Sequence, residues 1–396
     1  MIVGSCFEND PIWVQEIQHD LYWDRGLIIQ DGKIADVFEG SFNGYADRVF
    51  DAECNYISPG FIDLHSHGGG GHDFMDGTPE SFIGAARAHL VHGTTSIVPT
   101  TLSCSDDELF TAFECFREAK KIIKKGPNLL GLHLEGPYFS PAQAGAQDPE
   151  HLKNPDIENF KKILDASEDI LRVSVAVELE GALEVGDLLK KKGIVGSIGH
   201  SDAFYPDVLS AFEHGYTHIT HLYSGMSSLR RVGPYRHLGV VESAYLIDEI
   251  TVEIIADGKH LPPELLKLIL RFKPHDKICL VTDSMRGAGL SDGEIVKLGS
   301  LDKGQDVILE DGVAMLMDRT AFAGSVCTAD RCIRTMHKLA QIPIADAVRM
   351  MTINPAKVIS AKTKGILAQG MDADICIFDD DINIKSVFVS GEIIEF

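Results

Sequence analysis

The chain has 396 residues, 44% of them hydrophobic and 24% charged, which suffices for a large core and is ordinary for a water-soluble protein. Its 59 acidic against 36 basic residues give a formal net charge of −23, a field that repels nucleic acid and anionic lipid and obliges an anionic small substrate to find a local cluster of donors. No apolar run reaches the roughly 18 residues a membrane span needs, and the first six residues lack a signal-peptide pattern, so no membrane association and a cytoplasmic location are expected.

Taken in chain order, Leu27-Ile-Ile-Gln-Asp-Gly-Lys-Ile34 alternates across an Asp-Gly turn, the pattern of a hairpin. From residue 56 to 283, short runs rich in Val, Ile and Leu recur between segments of helical periodicity. Strands are predicted near 61–64, 95–99, 129–134, 173–177, 194–198, 217–220, 251–256 and 278–282. Amphipathic helices are predicted at 82–92, 106–125, 158–167, 183–192 and 263–272. Eight such strands predict an α/β fold, a closed TIM-like (β/α)8 barrel over residues 55–360. A hairpin around Asp311-Gly312 reads as an insertion at about 290–320, and residues 374–378 and 385–389 alternate again. Residues 1–54 and 361–396 are therefore expected to form one small β-sandwich domain from both termini. The eight cysteines, with no CxxC pair, read as reduced thiols.

In such a barrel the reactive groups sit where strands end, because the loops beyond share one rim. His65 and His67 follow the first predicted strand, Glu135 the third, His200 the fifth, His221 the sixth and Asp283 the eighth. All six offer nitrogen or oxygen donors suited to a divalent ion. A lone His-x-His is weak, since alternate residues on any strand share a side. Four further ligand types at the same rim turn it into a predicted metal site. Glycines 68–71 allow backbone to approach that site, or simply make a mobile turn. His72, His92, His133, His151 and His218 read as structural or solvated, with His133 a possible support for Glu135; Glu178 and Glu180 stay ambiguous.

The order of His-x-His, Gly131-Leu-His-Leu-Glu-Gly-Pro137, Ile198-Gly-His-Ser-Asp-Ala203, Thr220-His-Leu-Tyr223 and Val281-Thr-Asp-Ser-Met285 resembles the amidohydrolase superfamily and, within it, the N-acetylglucosamine-6-phosphate deacetylases. Glu135 stands where carbamylated-lysine members place lysine. The resemblance implies hydrolysis of the acetamide of N-acetylglucosamine-6-phosphate to glucosamine-6-phosphate and acetate. It implies that Glu135, His200 and His221 bind the principal metal, that His65 and His67 complete a second site bridged by Glu135, and that Asp283 is general base and then general acid. One or two ions per subunit are expected, zinc or iron first, manganese or cobalt as further candidates. A divalent ion would lower the pKa of a bound water from 15.7 to about 7.

Two departures from the family pattern stand out. Ala144-Gly-Ala-Gln147 places Gln147 where some members carry a histidine for the acetyl oxygen. Tyr223-Ser-Gly-Met226 and the segment from Leu229 to Arg236 replace the usual phosphate-binding sequences, leaving the backbone donors of Ser224 and Gly225 and the cluster Arg230, Arg231 and Arg236, with Arg231 chosen as the phosphate contact. His260 matches a sugar-contacting position, and the resemblance, in which this arginine loop serves a neighbouring subunit's active site, implies a homodimer. The alternative readings are a relative acting on N-acetylgalactosamine-6-phosphate or another N-acyl amine, and an inactive barrel serving as a binding module.

Overall fold

The computed structural model describes residues 1–4, 12–14, 21–23, 25–40 and 44–395. The remaining residues of the expected N-terminal portion, Cys6 among them, lie outside the described residues.

Eight parallel strands form the centre. In chain order they are Phe61–Ser66, Thr94–Pro99, Leu132–Glu135, Ile170–Val175, Val195–Ile198, Tyr216–Ile219, Thr251–Ile255 and Ile278–Val281. The third to eighth pair in sequence as one sheet, and the first two pair as another. The two sheets meet at both ends, through a parallel bridge from Thr100 to His133 and another from Ser66 to Ser284. The third strand differs from its predicted span of 129–134. The chain pairs with the second strand over Asn128–Leu129, and Leu130 N–H still donates to Ile97 O (3.0 Å). At Leu132 pairing passes to the other side, with Leu132 N–H donating to Asp169 O at 2.8 Å.

Strand alternation explains the layering. Val173, Val175, Leu132, Leu134, Ile219, Val252 and Ile254 belong to the main apolar cluster between sheet and helices. Their alternating neighbours Arg172, Ser174, His133, Glu135, His218, Thr220 and Glu253 are equally buried but bond one another across the lumen. The predicted helices appear as Pro79–Leu90, Asp106–Ile122, Ile157–Ala166, Ala182–Lys192 and Pro263–Phe272. Local signals set their starts: Thr78 caps a helix with Pro79 in its first turn, and Ser105 with Glu108 forms a capping box. Tyr205–Glu213, Val240–Leu246 and Ala329–Lys338 add further helices.

The terminal segments form two four-stranded sheets. Lys33–Glu39, Arg25–Gln30, Ile2–Gly4 and Val49–Asp51 make one; Glu392–Ile394, Ile384–Val389, Ile375–Phe378 and Tyr56–Pro59 make the other. Leu27, Ile29 and Ile34 of the first share an apolar cluster with Ile57, Ile375, Ile377 and Phe388 of the second. The expected boundary at residue 54 therefore moves: Tyr56–Pro59 pairs antiparallel with Ile375–Phe378 and sits among the terminal strands. The hairpin around Asp311-Gly312 gains a third strand, Ile295–Leu298.

Candidate active site

Four of the six expected ligands, the histidines, converge on a fifth, Glu135, and the sixth, Asp283, stands beside two of them. Glu135 Oε1 lies 3.0 Å from His221 Nε2, 3.3 Å from His65 Nε2 and 3.4 Å from His200 Nε2; its Oε2 lies 3.2 Å from His67 Nε2. Asp283 Oδ1 approaches His67 Nε2 at 3.2 Å and His65 Nε2 at 3.4 Å. All six are at most 7% exposed. Three of them, His200, His221 and Asp283, stand just past strand ends with positive φ (48°, 27° and 45°). Left-handed backbone at a non-glycine residue costs about 1–3 kcal/mol, so the surrounding packing must hold these turns. Asp283 is held by N–H donation to His65 O (2.8 Å) and acceptance from Ser325 N–H (2.7 Å).

The electrostatics favour a cation at this point. Burial alone would lower the His65 and His67 pKa values, but Glu135 and Asp283 outweigh it and hold His65 well above its usual value and His67 at about 9. Burial likewise raises the two carboxylates, yet His65 above all, with His200 and His221 at Glu135 and with His67 and His221 at Asp283, holds each below the usual range. Two ionised carboxylates among four buried imidazoles thus draw positive charge from whatever can supply it. The groups His65, His67, Glu135 and Glu135, His200, His221 each bring their donor atoms within 4.8 Å of one another. Imidazole nitrogens with a carboxylate shared between the groups are a donor set for zinc, iron or a similar ion. The residues fit a divalent metal.

The other expected site residues divide. A cavity of about 290 Å³ is lined by His67, Glu135, Gln147, His200, His221, Ser224, Gly225, His260 and Asp283 with Tyr223 and Phe322. A larger cavity of about 420 Å³ adjoins it across Leu102, Ala146, Gln147 and Leu298 but includes none of the six ligand-type residues, so the smaller one is the cavity that opens onto their cluster. His260 Nδ1 meets Asp257 Oδ2 at 2.7 Å and its ring lies against Phe322. Gln147 is braced: Oε1 accepts from Ser103 N–H (2.9 Å) and Nε2 donates to Glu135 Oε2 (2.8 Å), which leaves one amide proton.

The residues expected to meet phosphate have partly other partners within the chain. Ser224 N–H already donates to His221 O (2.9 Å), so the free backbone donor expected there is taken. Gly225 keeps the close approach: at φ +53°, a Cβ would sit 2.8 Å from His200 Nδ1. Arg230 is committed to Asp202, with Nη1 2.8 Å from both carboxylate oxygens, and lies over the Phe204 ring. Arg231 and Arg236 face each other across the hairpin of Arg230–Val232 and Tyr235–His237, which projects with Val232 and Tyr235 exposed; neither arginine lines the cavity.

Sequence reasoning passed over Arg172 and Glu253, whose buried ion pair lies beneath His65, and Asp63, which accepts from Thr282 Oγ (2.6 Å) beside Asp283. The signal was available as a single charged residue inside each of the strand-like runs Leu171-Arg-Val-Ser-Val175 and Val252-Glu-Ile-Ile255. Glu178, left ambiguous, accepts from Ser201 Oγ and Asp202 N–H at 2.6 Å each and braces the turn behind His200. His133 bonds Thr100 and Ser174 rather than Glu135.

The family model for the amidohydrolase family matches residues 56–394. The N-acetylglucosamine-6-phosphate deacetylase of Bacillus subtilis (strain 168) is 34% identical over 371 residues, covering 92% of this chain and 91% of its own. The N-acetylgalactosamine-6-phosphate deacetylase of Escherichia coli O157:H7 is 30% identical over 380 residues, covering 94% and 95%. Among solved structures, a mutant N-acetyl-D-glucosamine-6-phosphate deacetylase of Mycobacterium smegmatis in complex with N-acetyl-D-glucosamine-6-phosphate superimposes with a TM-score of 0.89 at 28% identity, over 100% of this chain and 99% of that one. The convergence of histidines and carboxylates at the strand ends and these similarities give one conclusion: the chain belongs to the amidohydrolase family.

Proposed function

We propose that the protein is an N-acetylglucosamine-6-phosphate deacetylase, which hydrolyses the acetamide to glucosamine-6-phosphate and acetate. The observation that carries the reading is the gathering of four histidines and Asp283 around the buried Glu135, in a chain 34% identical to a deacetylase of that substrate. His65, His67, Glu135, His200, His221 and Asp283 would hold one or two divalent ions, zinc or iron first among the candidates. When bound, such an ion supplies Lewis acidity toward the acetyl carbonyl and toward water. The chain's own residues do the rest. Asp283, kept ionised, accepts a proton from the water that attacks the acetyl carbon and delivers it to the sugar nitrogen as the carbon–nitrogen bond breaks. Gln147 offers its remaining amide proton to the acetyl oxygen. His260, with Nδ1 tied to Asp257, turns Nε2 to the sugar.

Gly225 N–H is the backbone donor assigned to phosphate. We assign Arg231 to the phosphate of a neighbouring subunit's substrate, in a homodimer; the exposed hairpin that keeps it out of its own cavity supports this. The two terminal sheets, with their shared cluster, fit a small β-sandwich beside a (β/α)8 barrel. Among the described residues no helix is long and apolar enough to cross a membrane, and Cys104, Cys115, Cys279, Cys327, Cys332 and Cys376 are free thiols, which fits a reducing cytoplasm. A second reading, the galacto-configured substrate, is favoured by the altered segment after Tyr223 and by the Escherichia coli relative. Initial rates on N-acetylglucosamine-6-phosphate, its galacto epimer and its unphosphorylated form decide between them. The proposal expects the first to be the best substrate and fails if phosphate makes no difference.

A further inference from the structure

We propose that Glu253, anchored by Arg172, is a positioning residue that fixes the metal-facing nitrogen of His65. This inference rests on the metal reading given above. Arg172, on the fourth strand, and Glu253, on the seventh, are 0% exposed inside the lumen. Arg172 Nη1 donates to Glu253 Oε1, and Nη2 donates to Oε2 (3.0 Å) and to Thr220 Oγ (3.3 Å). From this anchor Glu253 Oε2 reaches His65 Nδ1 at 3.1 Å and accepts the His221 N–H at 3.3 Å, so one carboxylate touches the ligand-bearing ends of the first and sixth strands.

An imidazole presents one nitrogen to a metal, and the partner of the other nitrogen decides which one and in what orientation. With Nδ1 on Glu253, His65 directs Nε2 at Glu135, His67 and Asp283. Stability is a poor account of the couple. A buried ion pair is commonly matched or bettered by apolar residues of similar size, and Arg172 Nε is left here without a partner. A lumen charge that bonds two ligand strands acts where the metal would be held.

The test titrates metal-free protein with cobalt(II), reading absorption bands and stoichiometry alongside melting temperature. Replacing both partners, Arg172→Met with Glu253→Met, avoids leaving a lone buried charge. That variant is expected to melt within a few degrees of wild type, to bind the second ion about 10- to 100-fold more weakly, and to lose less at the first ion, since His221 meets Glu253 only through its backbone N–H. The pair Arg172→Gln with Glu253→Gln restores a neutral acceptor and is expected to recover part of this, leaving a loss of about three- to tenfold, since an uncharged acceptor bonds more weakly. Wild-type binding of both ions by the methionine pair overturns the proposal. Should that pair not fold, wild-type binding by the glutamine pair overturns it. If neither pair folds, the couple is a folding element and the proposal is lost. Wild-type protein that takes up no cobalt sinks the metal reading itself, a result distinguishable from all of these.

Discussion

Asp283→Asn isolates the proton-transfer role from everything else the residue does. The two side chains match in size, and asparagine tolerates the left-handed backbone at φ 45° as well as aspartate does. The backbone bonds to His65 O and from Ser325 N–H do not involve the side chain and survive. Asp283 helps to raise the pKa values of His65 and His67, so the substitution lowers both, yet Glu135 remains 3.2 Å from His67 and 3.3 Å from His65. The fold and most of the metal are therefore expected to persist. An amide nitrogen cannot accept the water's proton. Positioned acid–base groups contribute about 10²- to 10⁴-fold, so turnover should fall by that factor, about 3–5.5 kcal/mol of barrier. Acetate release at saturating substrate, measured with metal content and melting temperature on the same preparation, reads the effect. A kcat within tenfold of wild type, at equal metal content, refutes the assignment.

Replacing His65 and His67 together by Ala should remove about one equivalent of metal per chain from a two-ion enzyme, read by elemental analysis; an unchanged count places the pair outside the coordination sphere. Arg231→Ala should raise KM for the phosphorylated substrate several-fold, leaving KM for its unphosphorylated form near wild type; equal effects on both place the phosphate elsewhere. His89 gives a pH prediction. Burial, partly offset by its bond to Gly68 O (2.9 Å), lowers its pKa from 6.5 to about 4. The unfolded chain then binds a proton between those values that the folded chain does not, so this group's contribution to stability is lost as pH falls from 6.5 toward 4. At pH 4.5 the loss is about 2.5 kcal/mol. Urea denaturation at pH 7 and pH 4.5 should show a smaller acid loss for His89→Asn than for wild type; equal losses in both sink the claim.

Much of this was legible in the chain. Strand and helix positions follow from local periodicity, which neighbours in sequence decide, and all eight central strands appeared within a few residues of their expected spans. The convergence of the candidate ligand side chains was legible because parallel strands end on one rim, so a residue type at a strand end carries spatial meaning without any coordinates. Pairing across distance was not. Tyr56–Pro59 joined the terminal sheet because Ile375–Phe378 lies beside it, more than three hundred residues later in the chain. Ser224 N–H was spent on a turn that no motif announced, and Arg230 found Asp202 instead of a substrate.

Residue order by itself determined that this protein would have alternating strands and helices and histidines and carboxylates at their ends. Only the tertiary structure decided that Arg172 meets Glu253, 81 residues apart, beneath His65, and that Arg231 stands outside its own cavity. The physical reason is that the stagger of all the paired strands together sets the distances between side chains on different strands, whereas the chain's local pattern carries only which face each side chain takes.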